Sequence, residues 1–95
     1  MDKEKMIYEF KEYVSMNCSR DTKERLIVFL SVMKQDTEFC VLDIYYELMD
    51  DKDLEPVALA TVYNTFTILE SGGFITQTKF KDRRVFYDLN RSYLE

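Results

Sequence analysis

The sequence predicts a mainly helical fold closed by a short β-hairpin, and three observations carry that prediction. Apolar residues recur at helical spacing through several segments before Gly72. Only two Gly and one Pro are present, too few turn punctuators for a many-stranded sandwich. After Gly72-Gly73 the pattern changes to runs of β-branched and aromatic residues on either side of a charged turn. With 95 residues, 46% of them hydrophobic, the chain is expected to fold as one domain over residues 1–95 and is not a disordered segment.

The first helix is expected over residues 3–16, with Met6, Ile7, Phe10, Tyr13 and Val14 as its apolar stripe. Asn17-Cys18-Ser19-Arg20 breaks it. Asp21 or Thr22 then caps a second helix, and Asp21 with Glu24 matches a capping box. Leu26, Ile27, Phe29, Leu30 and Met33 give that helix a wide apolar surface. After the polar connection 34–38, a third helix from about Val41 to Met49 buries Val41, Ile44, Tyr45 and Leu48. The acidic run Asp50-Asp51-Lys52-Asp53 reads as a solvated loop, since a calcium loop needs its Gly and a bidentate Glu at fixed spacing. Pro56 precedes the fourth helix, residues 59–71, whose stripe is Val62, Phe66 and Leu69. Ile68 lies off that stripe, either closing the edge of the core or touching a partner. Phe74 to Phe80 and Val85 to Leu89 form the hairpin around Lys81-Asp82-Arg83-Arg84, and a lone hairpin must pack on the helices to be stable. Three helices, a longer fourth and a hairpin make a winged helix-turn-helix: core 21–73, wing 74–89, tail 90–95.

Composition removes several classes of function. There is no histidine, and Cys18 and Cys40 stand without a CxxC, so imidazole catalysis, thiolate zinc sites and a disulfide framework are not expected. No nucleophile motif or phosphate loop is assembled, so the chain reads as a non-enzyme with no cofactor, no metal site and no small-molecule substrate. The apolar runs are too short for a membrane span and Met1-Asp2-Lys3-Glu4 does not open a signal peptide; the expectation is a cytoplasmic protein.

The net charge of −5 speaks against nucleic acid, but the charge is unevenly placed. Residues 36–55 are acidic, whereas from Thr76 onward Lys79, Lys81, Arg83, Arg84 and Arg91 outnumber the acids. The fourth helix carries small polar groups at Ala60, Thr61, Asn64 and Thr65, the kind of face a major-groove reader needs. Asn64 is suited to an adenine edge, Thr61 and Thr65 to bases or a thymine methyl, and Tyr63 to a sugar or phosphate. Lys79, Lys81, Arg83 and Arg84 on the wing, with Arg20, Lys23 and Arg25 near the second helix, would supply phosphate or minor-groove contacts. The plainer alternatives are a solvated helix face and a hairpin kept soluble by charge. No Lys or Arg lies between Leu59 and Ser71.

Leu59-Ala60-Thr61-Val62-Tyr63-Asn64, followed by Leu69-Glu70-Ser71-Gly72-Gly73-Phe74-Ile75, resembles a signature of the ferric uptake regulator (Fur) family. Thr22 to Leu26, Phe39 to Tyr45 and Val85 to Leu89 are similar to further blocks of it. The resemblance implies a DNA-binding winged helix whose helix bearing Thr61, Tyr63 and Asn64 reads an operator, as a repressor of that family does. It also implies a second, C-terminal domain for dimerisation and His-rich metal sites, which the residues after Leu89 do not supply, and metal ligands at places that here carry Glu38, Phe39 and Thr78. The expectation is therefore a metal-independent Fur-like transcription regulator that binds double-stranded DNA, dimerising through the first helix (Tyr8) or the Tyr93-Leu94 tail or using a protein partner. The alternative is a winged-helix protein-interaction module that has lost DNA binding.

Overall fold

In the computed structural model, which describes residues 3–17 and 23–90, four helices precede a two-stranded antiparallel sheet. The elements are α1 (Lys3–Asn17), α2 (Lys23–Met33), α3 (Val41–Asp50), α4 (Leu59–Ser71), β1 (Ile75–Lys81) and β2 (Arg84–Leu89). The architecture is the winged helix-turn-helix that the sequence predicts. The proposed caps Asp21 and Thr22, together with Cys18, lie outside the described residues.

Two aromatic clusters organise the core. Phe10 of α1 stacks on Phe29 of α2 with ring centroids 4.3 Å apart, and Phe74 meets both rings edge-on at 5.9 and 5.8 Å. These are favoured arrangements for aromatic quadrupoles. Phe39, Phe66 and Tyr87 form the second cluster, joining the α2–α3 connection to α4 and β2. Met6 and Val14 of α1, Ile44 of α3 and Val62 and Leu69 of α4 fill the space between.

The face of α2 differs from expectation. Val28 and Val32 are fully buried with Phe29 and Met33, whereas Leu30 is 38% exposed and Leu26 and Ile27 are half-buried. The run Leu26-Ile27-Val28-Phe29-Leu30 is apolar all round, so periodicity cannot choose its inward side; packing against α3 and α4 does. Ser31 is also buried: its hydroxyl donates to the Glu47 carboxylate, and Gln35 Nε2 reaches the same carboxylate at 3.3 Å, tying α2 to α3. Ile68 is half-buried against the core, which leaves it closing the core edge.

Helix ends fix how α3, α4 and the hairpin are placed. The Cys40 N–H donates to Asp43 Oδ2 at 3.0 Å, satisfying a donor at the start of α3. α4 stops in a Schellman motif: Phe74 N–H donates to the Leu69 carbonyl and Gly73 N–H to that of Glu70, with Gly73 at φ 78°. Gly72 is required by close approach, since a Cβ there falls 2.7 Å from the Phe74 ring.

The hairpin turns at Asp82 and Arg83, whose φ values of 55° and 63° match a two-residue type I′ turn. The register runs from Ile75↔Leu89 to Lys81↔Arg84 and slips between Gln77 and Lys79, leaving Thr78 as a bulge. One strand-like element escapes sequence reading. Phe39 pairs with Tyr87 through two backbone hydrogen bonds of 2.9 and 2.7 Å, pinning the start of α3 to the wing.

Candidate nucleic-acid interface

The outer surface of α4 is narrower than the small-residue face that the sequence predicts. Ala60, Tyr63, Asn64 and Thr67 are exposed, and their spacing of i, i+3, i+4 and i+7 makes them one continuous strip. Thr61 is half-buried. Thr65 is wholly buried, and its hydroxyl donates to the Thr61 carbonyl at 2.7 Å. The structure thus removes Thr65 from any groove-facing role, because both its surface and its donor are used inside the protein. Thr67 takes the vacated place; the seven-residue step from Ala60 is the signal that finds it. Its hydroxyl back-bonds to the Tyr63 carbonyl at 3.2 Å. Farther along, Glu70 is exposed on the same helix.

All four wing cations, Lys79, Lys81, Arg83 and Arg84, are exposed, but they are not equivalent. Lys79 Nζ lies 3.6 Å from Glu38 Oε1 and 5.3 Å from the centre of the Phe86 ring. The same Glu38 accepts a hydrogen bond from Thr78, the residue that the bulge pushes out of register. The hydrogen bond from Thr78 holds the Glu38 carboxyl below its ordinary range; desolvation opposes it, and the nearby Lys79 adds a lesser lowering effect. Among the described residues Lys81, Arg83 and Arg84 have no acidic partner within 4.0 Å. The wing therefore presents three free cations and one that is engaged.

Tyr63 and the wing tip are brought together. A cleft of about 310 Å³ opens between the turn and the start of α3, bordered by Tyr63, Tyr87, Arg83 and Arg84. Burial pushes the Tyr87 phenol up, with smaller contributions from Glu70 and Tyr63, so it stays protonated at neutral pH. Lys23 is exposed and Arg25 half-buried at the start of α2, and neither borders this cleft; Arg20 lies outside the described residues. At the places where the resemblance implies metal ligands, Glu38 and Thr78 bond to each other and Phe39 is buried in the core.

A family model described as the ferric uptake regulator family matches residues 16–94. The ferric uptake regulation protein of Campylobacter jejuni is 28% identical over 87 residues, which make up 88% of this chain and 54% of that protein. Among solved structures, PerR from Streptococcus pyogenes, studied for peroxide sensing and gene regulation, aligns with a TM-score of 0.66 and 25% identity, covering 82% of this chain and 52% of that one. The Helicobacter pylori ferric uptake regulator aligns with a TM-score of 0.72 at 18% identity over 88% of this chain and 55% of that one. The chain spans about half the length of each of these proteins.

Proposed function

The chain belongs to the ferric uptake regulator family, and from that premise we propose that it is a metal-independent DNA-binding transcription regulator, acting as a repressor. The strip Ala60–Tyr63–Asn64–Thr67 of α4 enters the major groove, where the Asn64 amide pairs with an adenine edge and Tyr63 reaches sugar or phosphate. Lys81, Arg83 and Arg84 of the wing hold the phosphate backbone, with Lys23 contributing from α2. One observation carries the reading: Tyr63 of the exposed α4 strip and the free wing cations Arg83 and Arg84 border the same cleft.

Metal independence rests on what occupies the implied ligand positions. A hydrogen bond between Glu38 and Thr78 and the ion pair with Lys79 already join the α2–α3 connection to the wing there. No metal is needed to make that link. Since specific affinity usually comes from two half-sites, the working form is a homodimer, with the exposed Tyr8 of α1 as a candidate contact.

Fluorescence anisotropy with duplexes selected from a random pool tests the reading. Binding should weaken steeply as salt rises and should suffer on Arg83→Ala or Arg84→Ala. Two observations favour the rival reading of a protein-interaction module: Phe80 is 70% exposed near the tip of the wing, and the only charged side chain on α4 is the acidic Glu70. Absence of duplex binding even at low salt selects that rival.

A further inference from the structure

The cleft beside the wing turn has the makings of a ligand site of its own. Val41, Leu42 and Val85 give its lining an apolar part, and Tyr63 and Tyr87 border it. Arg83 and Arg84 stand at the rim with no acidic partner within 4.0 Å among the described residues. Asp82 is the one acid of the lining, so two guanidinium groups face one carboxylate and the rim is locally cationic on a chain of net charge −5. At about 310 Å³ the space sits at the small end of ligand pockets.

We propose that this cleft binds a small organic anion, a single flat apolar ring or its equivalent bearing a carboxylate, and that its occupant displaces DNA. The carboxylate takes the guanidinium fork of Arg84, with Arg83 adding charge at the rim, while the ring lies over Val85 between the two tyrosines. A neutral apolar molecule would cover the guanidinium groups without bonding to them. The displacement rests on the function proposed above, because Tyr63, Arg83 and Arg84 are then wanted by ligand and duplex alike; the binding itself does not.

Benzoate serves as the probe, titrated into 15N-labelled protein and followed by amide shifts, with benzyl alcohol as the neutral control. Saturable shifts should centre on Leu42, Tyr63 and Val85, Arg84→Ala should weaken binding about tenfold, and the alcohol should bind far more weakly. Val85→Trp, which fills the cleft, should remove the response; should that variant lose its dispersed spectrum, the Arg84→Ala titration decides. Equal shifts from the alcohol, shifts scattered elsewhere, or an unchanged response in Arg84→Ala overturn the site. In the duplex assay, saturating benzoate should weaken DNA binding by the wild type and not by Val85→Trp. Unchanged wild-type affinity overturns the displacement. If no duplex binds at all, the DNA reading has failed, and the amide titration alone settles the cleft.

Discussion

Replacing Glu38 by Gln should strengthen DNA binding, an unusual outcome for a substitution outside the proposed reading surface. In the native chain Lys79 is held 3.6 Å from Glu38, leaving Lys81, Arg83 and Arg84 as the free wing cations. Gln keeps the shape of Glu and can still accept from Thr78, but it cannot neutralise Lys79. Each phosphate contact adds about −0.9 to the slope of log affinity against log salt, so one freed cation should steepen the slope by about that amount. Extrapolated from a common value near 1 M salt, this amounts to about eightfold tighter binding near 0.1 M. Lys79→Ala alone should barely change the native slope, whereas combined with Glu38→Gln it should remove the whole gain. Stability should be nearly unaffected, because the pair is exposed, at 48% and 38% of its side-chain surfaces. Protonation should mimic the substitution. Since the Glu38 carboxyl is held low in the folded protein, its pairing is complete above the ordinary glutamate pKa of about 4.3 and is lost as pH falls through the lower folded value. The salt slope should therefore stay constant from pH 7 to about 5. Anisotropy titrations over a salt series measure all of this. An unchanged slope in Glu38→Gln would refute the claim that Lys79 is withheld from DNA.

Other outcomes follow from single features. Arg83→Gly relieves a positive-φ residue at the turn and should raise stability by about 1 kcal/mol, or about 5 °C in a melt, while lowering the salt slope of DNA binding. Asn64→Ala should relax selection at one base position by about 1–3 kcal/mol, whereas Thr65→Val should leave the selected sequences unchanged, Thr65 being buried. Phe29→Ala removes the ring shared by Phe10 and Phe74 and should cost about 3–5 kcal/mol in denaturant unfolding.

Legibility from sequence varied with how much local chemistry specified each feature. The end of α4 was readable because Gly72-Gly73 allows the Schellman geometry and the close approach of Phe74, and the change of residue pattern after it announced the hairpin. The inward face of α2 was not, since five consecutive apolar residues leave the choice to tertiary partners. Within the candidate site, Tyr63, Asn64 and the wing cations emerged from residue type and helical spacing, but Thr65 is buried and Thr67 is exposed in its place. A threonine suits either side of a helix, and only burial distinguishes them. The Phe39 bridge involves one residue and has no periodicity to detect. Neither the bulge at Thr78 nor its bond to Glu38, 40 positions away in the chain, leaves a local trace.

That bulge divides the hairpin into two mechanically different halves. Below it, the ladder is bolted to the body by the Phe39 bridge, the Glu38 contacts and the burial of Ile75 and Leu89. Beyond it and the Lys79–Glu38 pair, Phe80 to Arg84 form a short cantilever held by the pairing of two strands and one turn. Amide exchange should accordingly be slow at Tyr87 and fast at the tip. The free cations thus ride on the part of the protein that bends at least cost, able to follow a phosphate backbone without disturbing the aromatic packing at the root.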